Sequence, residues 1–80
     1  MDIEQARTFL TIAAHGSFLE AARQLHLTQS TVSARIQRLE EELDARLFIR
    51  NRSGASLTQS GRRFLEHAKR LVLTAEQARH

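Results

Sequence analysis

Eighty residues with 41% hydrophobic side chains suffice for one small packed domain and are too few for two. The chain has no cysteine, which excludes a disulfide framework and thiolate metal sites, and it has no proline and only three glycines, so little interrupts helix. The formal charge is only +3, but residues 1–43 hold four arginines against six carboxylates, whereas residues 44–80 hold eight cations against three carboxylates; such a basic half suits a nucleic-acid partner or a solvated face.

The first helix is expected over Ile3–His15. Asp2 followed by Gln5 fits a capping box, Gly16 suits its end, and Ile3, Ala6, Phe9, Leu10, Ile12 and Ala13 form a stripe at helical spacing. Ser17 with Glu20 opens a second, short helix to about His26, whose inner face carries Phe18, Ala21, Ala22 and Leu25. Small residues there allow a close crossing with the next helix, and the link Leu27-Thr28 is too short for anything but a tight turn. A third helix follows Thr28, over about 29–43, with Val32, Ile36, Leu39 and Leu43 on one face. Two strand-like pieces come next, Leu47–Arg50 and Ala55–Thr58, around the polar turn Asn51-Arg52-Ser53-Gly54. After Thr58 the helical period returns, and Phe64, Leu65, Ala68, Leu71, Val72 and Ala75 form a stripe almost to the end. The fold expected is therefore mainly α: a winged helix-turn-helix of three helices and a small hairpin over 1–58, then a long helix over 59–80.

The outer face of the third helix carries the chemistry. With Val32, Ile36 and Leu39 inward, Gln29, Ser30, Thr31, Ser33, Ala34, Gln37 and Arg38 face out. Glutamine can take two hydrogen bonds to adenine, serine and threonine suit several base edges, and alanine touches the thymine methyl. The helix start, capped by Thr28, suits a phosphate, and Arg38 a backbone contact further along. Glu40, Glu41 and Glu42 lie about 15 Å from Ser30 at 1.5 Å per residue, so such a helix must enter a groove by its N-terminus. Those carboxylates read as a solvated face. Arg50, Arg52 and Ser53 flank or form the hairpin turn, where arginine suits phosphates or a narrow minor groove.

The string Gly16-Ser17-Phe18, Ala21-Ala22, Leu25, Thr28-Gln29-Ser30, Val32-Ser33, Ile36, Leu39-Glu40, Leu43, Leu47-Phe48, Arg50, Leu57-Thr58 and Gly61 resembles the N-terminal domain of the LysR-type transcriptional regulators. The resemblance implies a winged helix-turn-helix and a linker helix that pairs antiparallel with that of a second subunit. Phe64, Leu65, Ala68, Leu71, Val72 and Ala75 would then serve dimerisation. It implies base contacts from Gln29, Ser30, Thr31, Ser33 and Ala34, and backbone or minor-groove contacts from Thr28, Arg38, Arg50, Arg52 and Ser53. It further implies binding to an interrupted inverted repeat in duplex DNA, dimers or tetramers for full-length members, and a small-molecule co-inducer sensed by a domain outside these residues. Three positions depart from the pattern: Asp44 stands where many members have glycine, and Ala34 and Ser53 where arginine is frequent. Either Arg50 or Arg52 is left to enter the minor groove, while Arg35 points nearer the buried face.

Two other classes fit less well. His15, His26, His67 and His80 form no i, i+4 pair and join no carboxylate cluster, so neither a catalytic constellation nor a metal site is expected, and no cofactor for this domain. A protein-binding helical module would explain the last stripe but gives no reason for arginines at a hairpin beside a helix start rich in Gln, Ser and Thr. No apolar run approaches the ~18 residues of a membrane span, and the polar, acidic start is unlike a signal peptide, so a cytoplasmic location is expected.

Overall fold

Each helix begins where a short polar side chain takes up a free backbone N–H. The computed structural model describes residues 1–79 and orders them as α1 (Ile3–His15), α2 (Phe18–Leu25), α3 (Gln29–Leu43), β1 (Phe48–Asn51), β2 (Gly54–Leu57) and α4 (Gln59–Ala78). Asp2 accepts from the Gln5 N–H while Gln5 returns the bond to the Asp2 N–H, completing the capping box. Ser17, Thr28 and Thr58 accept from Glu20, Thr31 and Gly61 in the same way. The expected helix starts are therefore the observed ones. His80, the last residue of the expected final helix, lies outside the described residues.

The first three helices all end in a left-handed residue, which turns the chain sharply. Gly16 does so with φ 67°, His26 with φ 58° and Asp44 with φ 52°. His26 thus closes α2 with its backbone, one residue before the expected end, and Leu27 packs under the turn against the core. Ala21 and Ala22 are 0% and 3% exposed, which lets α2 lie close to its neighbours.

The core sits where α1 crosses the rest. Phe9, Ile12, Val32 and Leu39 are fully buried, joined by Leu47, Phe48, Phe64 and Ala68 from the hairpin approach and α4. The four phenylalanines form one continuous series: Phe64 meets Phe9 edge-on at 5.0 Å, Phe9 meets Phe48 at 5.2 Å, and Phe48 meets Phe18 edge-on at 5.5 Å. Thr8 is buried among them, and its hydroxyl is satisfied by the Glu4 carbonyl and the Arg35 guanidinium.

The hairpin is antiparallel, with Phe48 opposite Leu57 and Arg50 opposite Ala55. Its strands lie one residue nearer the tip than expected, so Arg52 and Ser53 alone form the turn. Beyond the strands the Thr58 N–H still donates to the Leu47 carbonyl at 3.0 Å, but the Leu47 N–H donates to the Glu40 carboxylate at 2.7 Å and the Thr58 side chain caps α4. The Ala55 N–H donates to the Gly16 carbonyl at 2.9 Å, which fixes the hairpin against the α1–α2 turn.

The reading of Glu40–Glu42 as a solvated face is corrected for Glu40, while Glu41 and Glu42 are exposed as expected. Glu40 is mostly buried and also faces Arg46 at 3.6 Å, so it anchors the link from α3 to β1. Glu42 accepts from the Gln5 amide and pairs with the terminal amine.

Candidate nucleic-acid interface

The periodicity that buries Val32, Ile36 and Leu39 leaves the opposite side of α3 open. Gln29, Ser30, Ala34, Gln37 and Arg38 are exposed there, and Ser33 and Thr31 are half-buried beside them. Thr28 and Thr31 are engaged with each other: the Thr28 hydroxyl accepts from the Thr31 N–H at 3.1 Å, and the two hydroxyls lie 2.9 Å apart. That ring holds the helix start in shape. A helix N-terminus also presents unpaired N–H groups and a positive dipole end. Arg35 turns the other way and reaches Thr8 and Glu4 on α1, as its direction on the helix implied.

The hairpin lies beside this face. Arg52 and Ser53 are exposed at its tip, where the Ser53 N–H donates to the Asn51 side chain at 2.9 Å, so Asn51 folds the turn back on itself. Arg50 is not at the tip. It lies on the inner face of β1, its guanidinium carbon 3.9 Å from the centroid of the Phe18 ring and one nitrogen 3.5 Å from the Ser33 hydroxyl. Arg50 is exposed and bridges wing and helix. The open cleft between α3 and the hairpin, about 660 Å³, is lined by Phe18, Ser33, Gln37 and Arg50 at one end and by Glu41, Asp44 and Arg46 at the other.

Phe18 as a platform, Asn51 as a turn former and Glu40 as an anchor were not singled out from sequence. Phe18 reads as a core residue, and it is one; its second role depends on a partner 32 positions away. An Asn two residues before a turn Ser is a detectable signal for the Asx turn.

The apolar stripe of α4 divides in two. Ala68 is fully buried in the chain's own core, so its assignment to dimerisation is corrected, whereas Phe64, 8% exposed and packed edge-on against Phe9, also lines the groove described next. Leu65 and Val72 pack partly on the same core. Leu71 and Ala75, with Ile3, Leu43 and Ala78, line an open, mostly apolar groove of about 770 Å³. The far end of α4 is tied to α1 by Arg7, which donates to Glu76 at 2.6 Å. This hydrogen bond, and then the charge of Arg7, hold the Glu76 carboxyl below the usual range, and the terminal amine and Gln5 do the same for Glu42.

Among the described residues no group of three or more His, Cys, Asp or Glu side chains is placed to hold a metal ion, and no helix is long and apolar enough to cross a membrane.

Comparison with known proteins bears on the same face. The chain is 44% identical over 79 residues to the HTH-type transcriptional regulator HdfR of Yersinia enterocolitica and 40% identical over 79 residues to the regulator ClcR of Pseudomonas putida. Each alignment covers 99% of this chain, which spans about a quarter (27%) of either relative's length. In structure it is similar to the DNA-binding domain of CbnR in complex with DNA, with TM-score 0.93, 33% identity and coverage of 98% of this chain and 90% of that one. It is also similar to the BenM DNA-binding domain on a catB site, with TM-score 0.91, 32% identity and coverage of 98% and 88%. The model of the bacterial regulatory helix-turn-helix proteins of the lysR family matches residues 3–62, from the capping turn of α1 through α3 and the hairpin into α4. With the family's helix-turn-helix and wing both in place, the chain belongs to the LysR family of bacterial transcription regulators.

Proposed function

We propose that this chain is the part of a transcription regulator that reads double-stranded DNA, with the first turns of α3 in the major groove. The observation that carries this reading is the split of α3: one face locked by Val32, Ile36 and Leu39, the other presenting Gln29, Ser30, Ala34 and Arg38 beside an arginine-bearing wing. Gln29 suits adenine, Ala34 a thymine methyl, and Ser30 either base type. Ser33 adds a hydroxyl, and Thr31 acts with Thr28 at the helix start. Arg38, Arg52 and Ser53 address the backbone or minor groove. That the similar domains of CbnR and BenM were solved in complex with DNA supports duplex DNA as the partner.

The unit acts as a homodimer on an interrupted inverted repeat, because a two-fold pair of reading heads demands a two-fold site. Support for the pairing comes from the groove that Leu71, Ala75 and Ala78 leave open on α4. Full-length chains further assemble as tetramers and answer a small-molecule co-inducer bound outside these residues, in the cytoplasm where the nucleoid lies.

The test compares Gln29→Ala with the parent chain on the best-bound duplex and on random duplexes. The variant is expected to lose about 1 to 3 kcal/mol on the selected sequence and little on random DNA. Equal losses on both would remove Gln29 from base reading.

A further inference from the structure

Arg50 is exposed, but unlike Arg38 and Arg52 it meets both an aromatic ring and a hydroxyl. Side chains alternate along a strand, so Arg50 shares a face with Phe48, and that face looks onto α2 and α3. Its guanidinium stacks on Phe18, 3.9 Å from the ring centroid. Phe18 is itself 5% exposed and braced edge-on by Phe48, so the platform is part of the core. Stacking on a fixed ring sets the plane of the guanidinium as well as its position. From there one nitrogen faces the Ser33 hydroxyl at 3.5 Å.

The chemistry of that contact has a direction. A guanidinium only donates, so the Ser33 oxygen must accept. A hydroxyl that accepts from a cation becomes a stronger donor, and its proton turns away from Arg50. Serine alone suits donors and acceptors alike; serine under Arg50 is biased to donate. Base edges in the major groove differ in this respect: purine N7, guanine O6 and thymine O4 accept, whereas the amino groups of cytosine and adenine donate.

We propose that Arg50 is a positioning and specificity residue, which, locked on Phe18, holds Ser33 as a hydrogen-bond donor so that Ser33 selects a base-edge acceptor and rejects the amino group of cytosine. The inference rests on the DNA-reading function proposed above. It differs from a simple phosphate contact, which would add affinity for every sequence alike.

The test uses Ser33→Ala, Arg50→Lys and the double variant of the 80-residue chain. Affinities are measured on the tightest duplex recovered from a random pool, on its single-base-pair variants and on random DNA. Lysine keeps the charge but loses the planar, donor-forked stacking. Arg50→Lys is expected to keep the salt slope and the affinity for random DNA within about twofold, and to lose roughly tenfold of discrimination at one base pair. That base pair is the one at which Ser33→Ala loses discrimination, and the double variant is no worse there than either single change. Arg50→Lys discriminating like the parent, or losing affinity evenly over all duplexes, overturns the role of Arg50. A parent chain that recovers no preferred duplex overturns the DNA-reading function and this proposal together.

Discussion

Asp44 closes α3 with φ 52° and ψ 47°, a conformation that costs an L-residue with a Cβ roughly 1–2 kcal/mol, least for Asn and Asp. Glycine has no such cost but loses more chain entropy. Asp44→Gly is therefore expected to stabilise the chain by about 0.5–1 kcal/mol in urea unfolding; an unchanged midpoint would show that the turn carries no strain. The departure at Asp44 was visible in sequence because a helix of clear period stopped there. The same clarity exposed Gln29, Ser30, Ala34 and Arg38, since three buried residues at i, i+4 and i+7 fix which side of a helix faces out. Arg50 was legible as a wing cation and no further. Its partners Phe18 and Ser33 lie 32 and 17 positions away, and only the packing of hairpin on helix brings them together.

At the scale of elements, local chemistry set the helices and tertiary chemistry set the hairpin. The caps at Asp2, Ser17, Thr28 and Thr58 act within four residues, so sequence exposed the starts of α1–α4. At the hairpin base the Leu47 N–H goes to Glu40, seven residues earlier, a contact that local strand pattern does not reveal, and the strands lie one residue from the expected place. Two contacts of the last helix, besides its core packing, have testable consequences. Near its start, a Cβ on Gly61 would lie 2.2 Å from the Leu47 carbonyl oxygen, a backbone atom that has no free direction to move. Gly61→Ala is expected to cost about 1–3 kcal/mol in thermal or urea unfolding; full stability would mean that α4 can slide without loss. Near its end, Arg7 holds Glu76 ionised below the ordinary carboxylate range. A group whose folded pKa is depressed stabilises fully above its unfolded value, and that contribution is lost as pH falls through the folded value. Melting temperature is thus expected to drop on acidification below about pH 4.5, the ordinary value for the group, and Glu76→Gln should remove part of that drop. Identical acid profiles for the two chains would exclude the pair as a contributor.

The whole molecule separates two surfaces around one aromatic core. Phe64, Phe9, Phe48 and Phe18 run in series from α4 to the base of Arg50, so α4 and the hairpin share one packed interior. One surface carries the exposed side of α3 and the wing; the other carries the groove beside Leu71 and Ala75. The apolar stripe of α4 was legible in sequence, but its division was not, because period alone cannot say which partner covers each residue. With Ala68 buried, Leu71 is the exposed groove residue that tests the proposed pairing of two copies. Leu71→Lys is expected to weaken self-association at least tenfold in analytical ultracentrifugation and to leave the melting temperature of the monomer nearly unchanged; unaltered association would move the interface off this groove. The most direct measurement of the central claim is selection from a pool of random duplexes at two salt concentrations. Enrichment of a two-fold-symmetric, interrupted site, with affinity falling steeply as salt rises, is the expected result. A folded chain that binds no duplex at low salt would contradict the account.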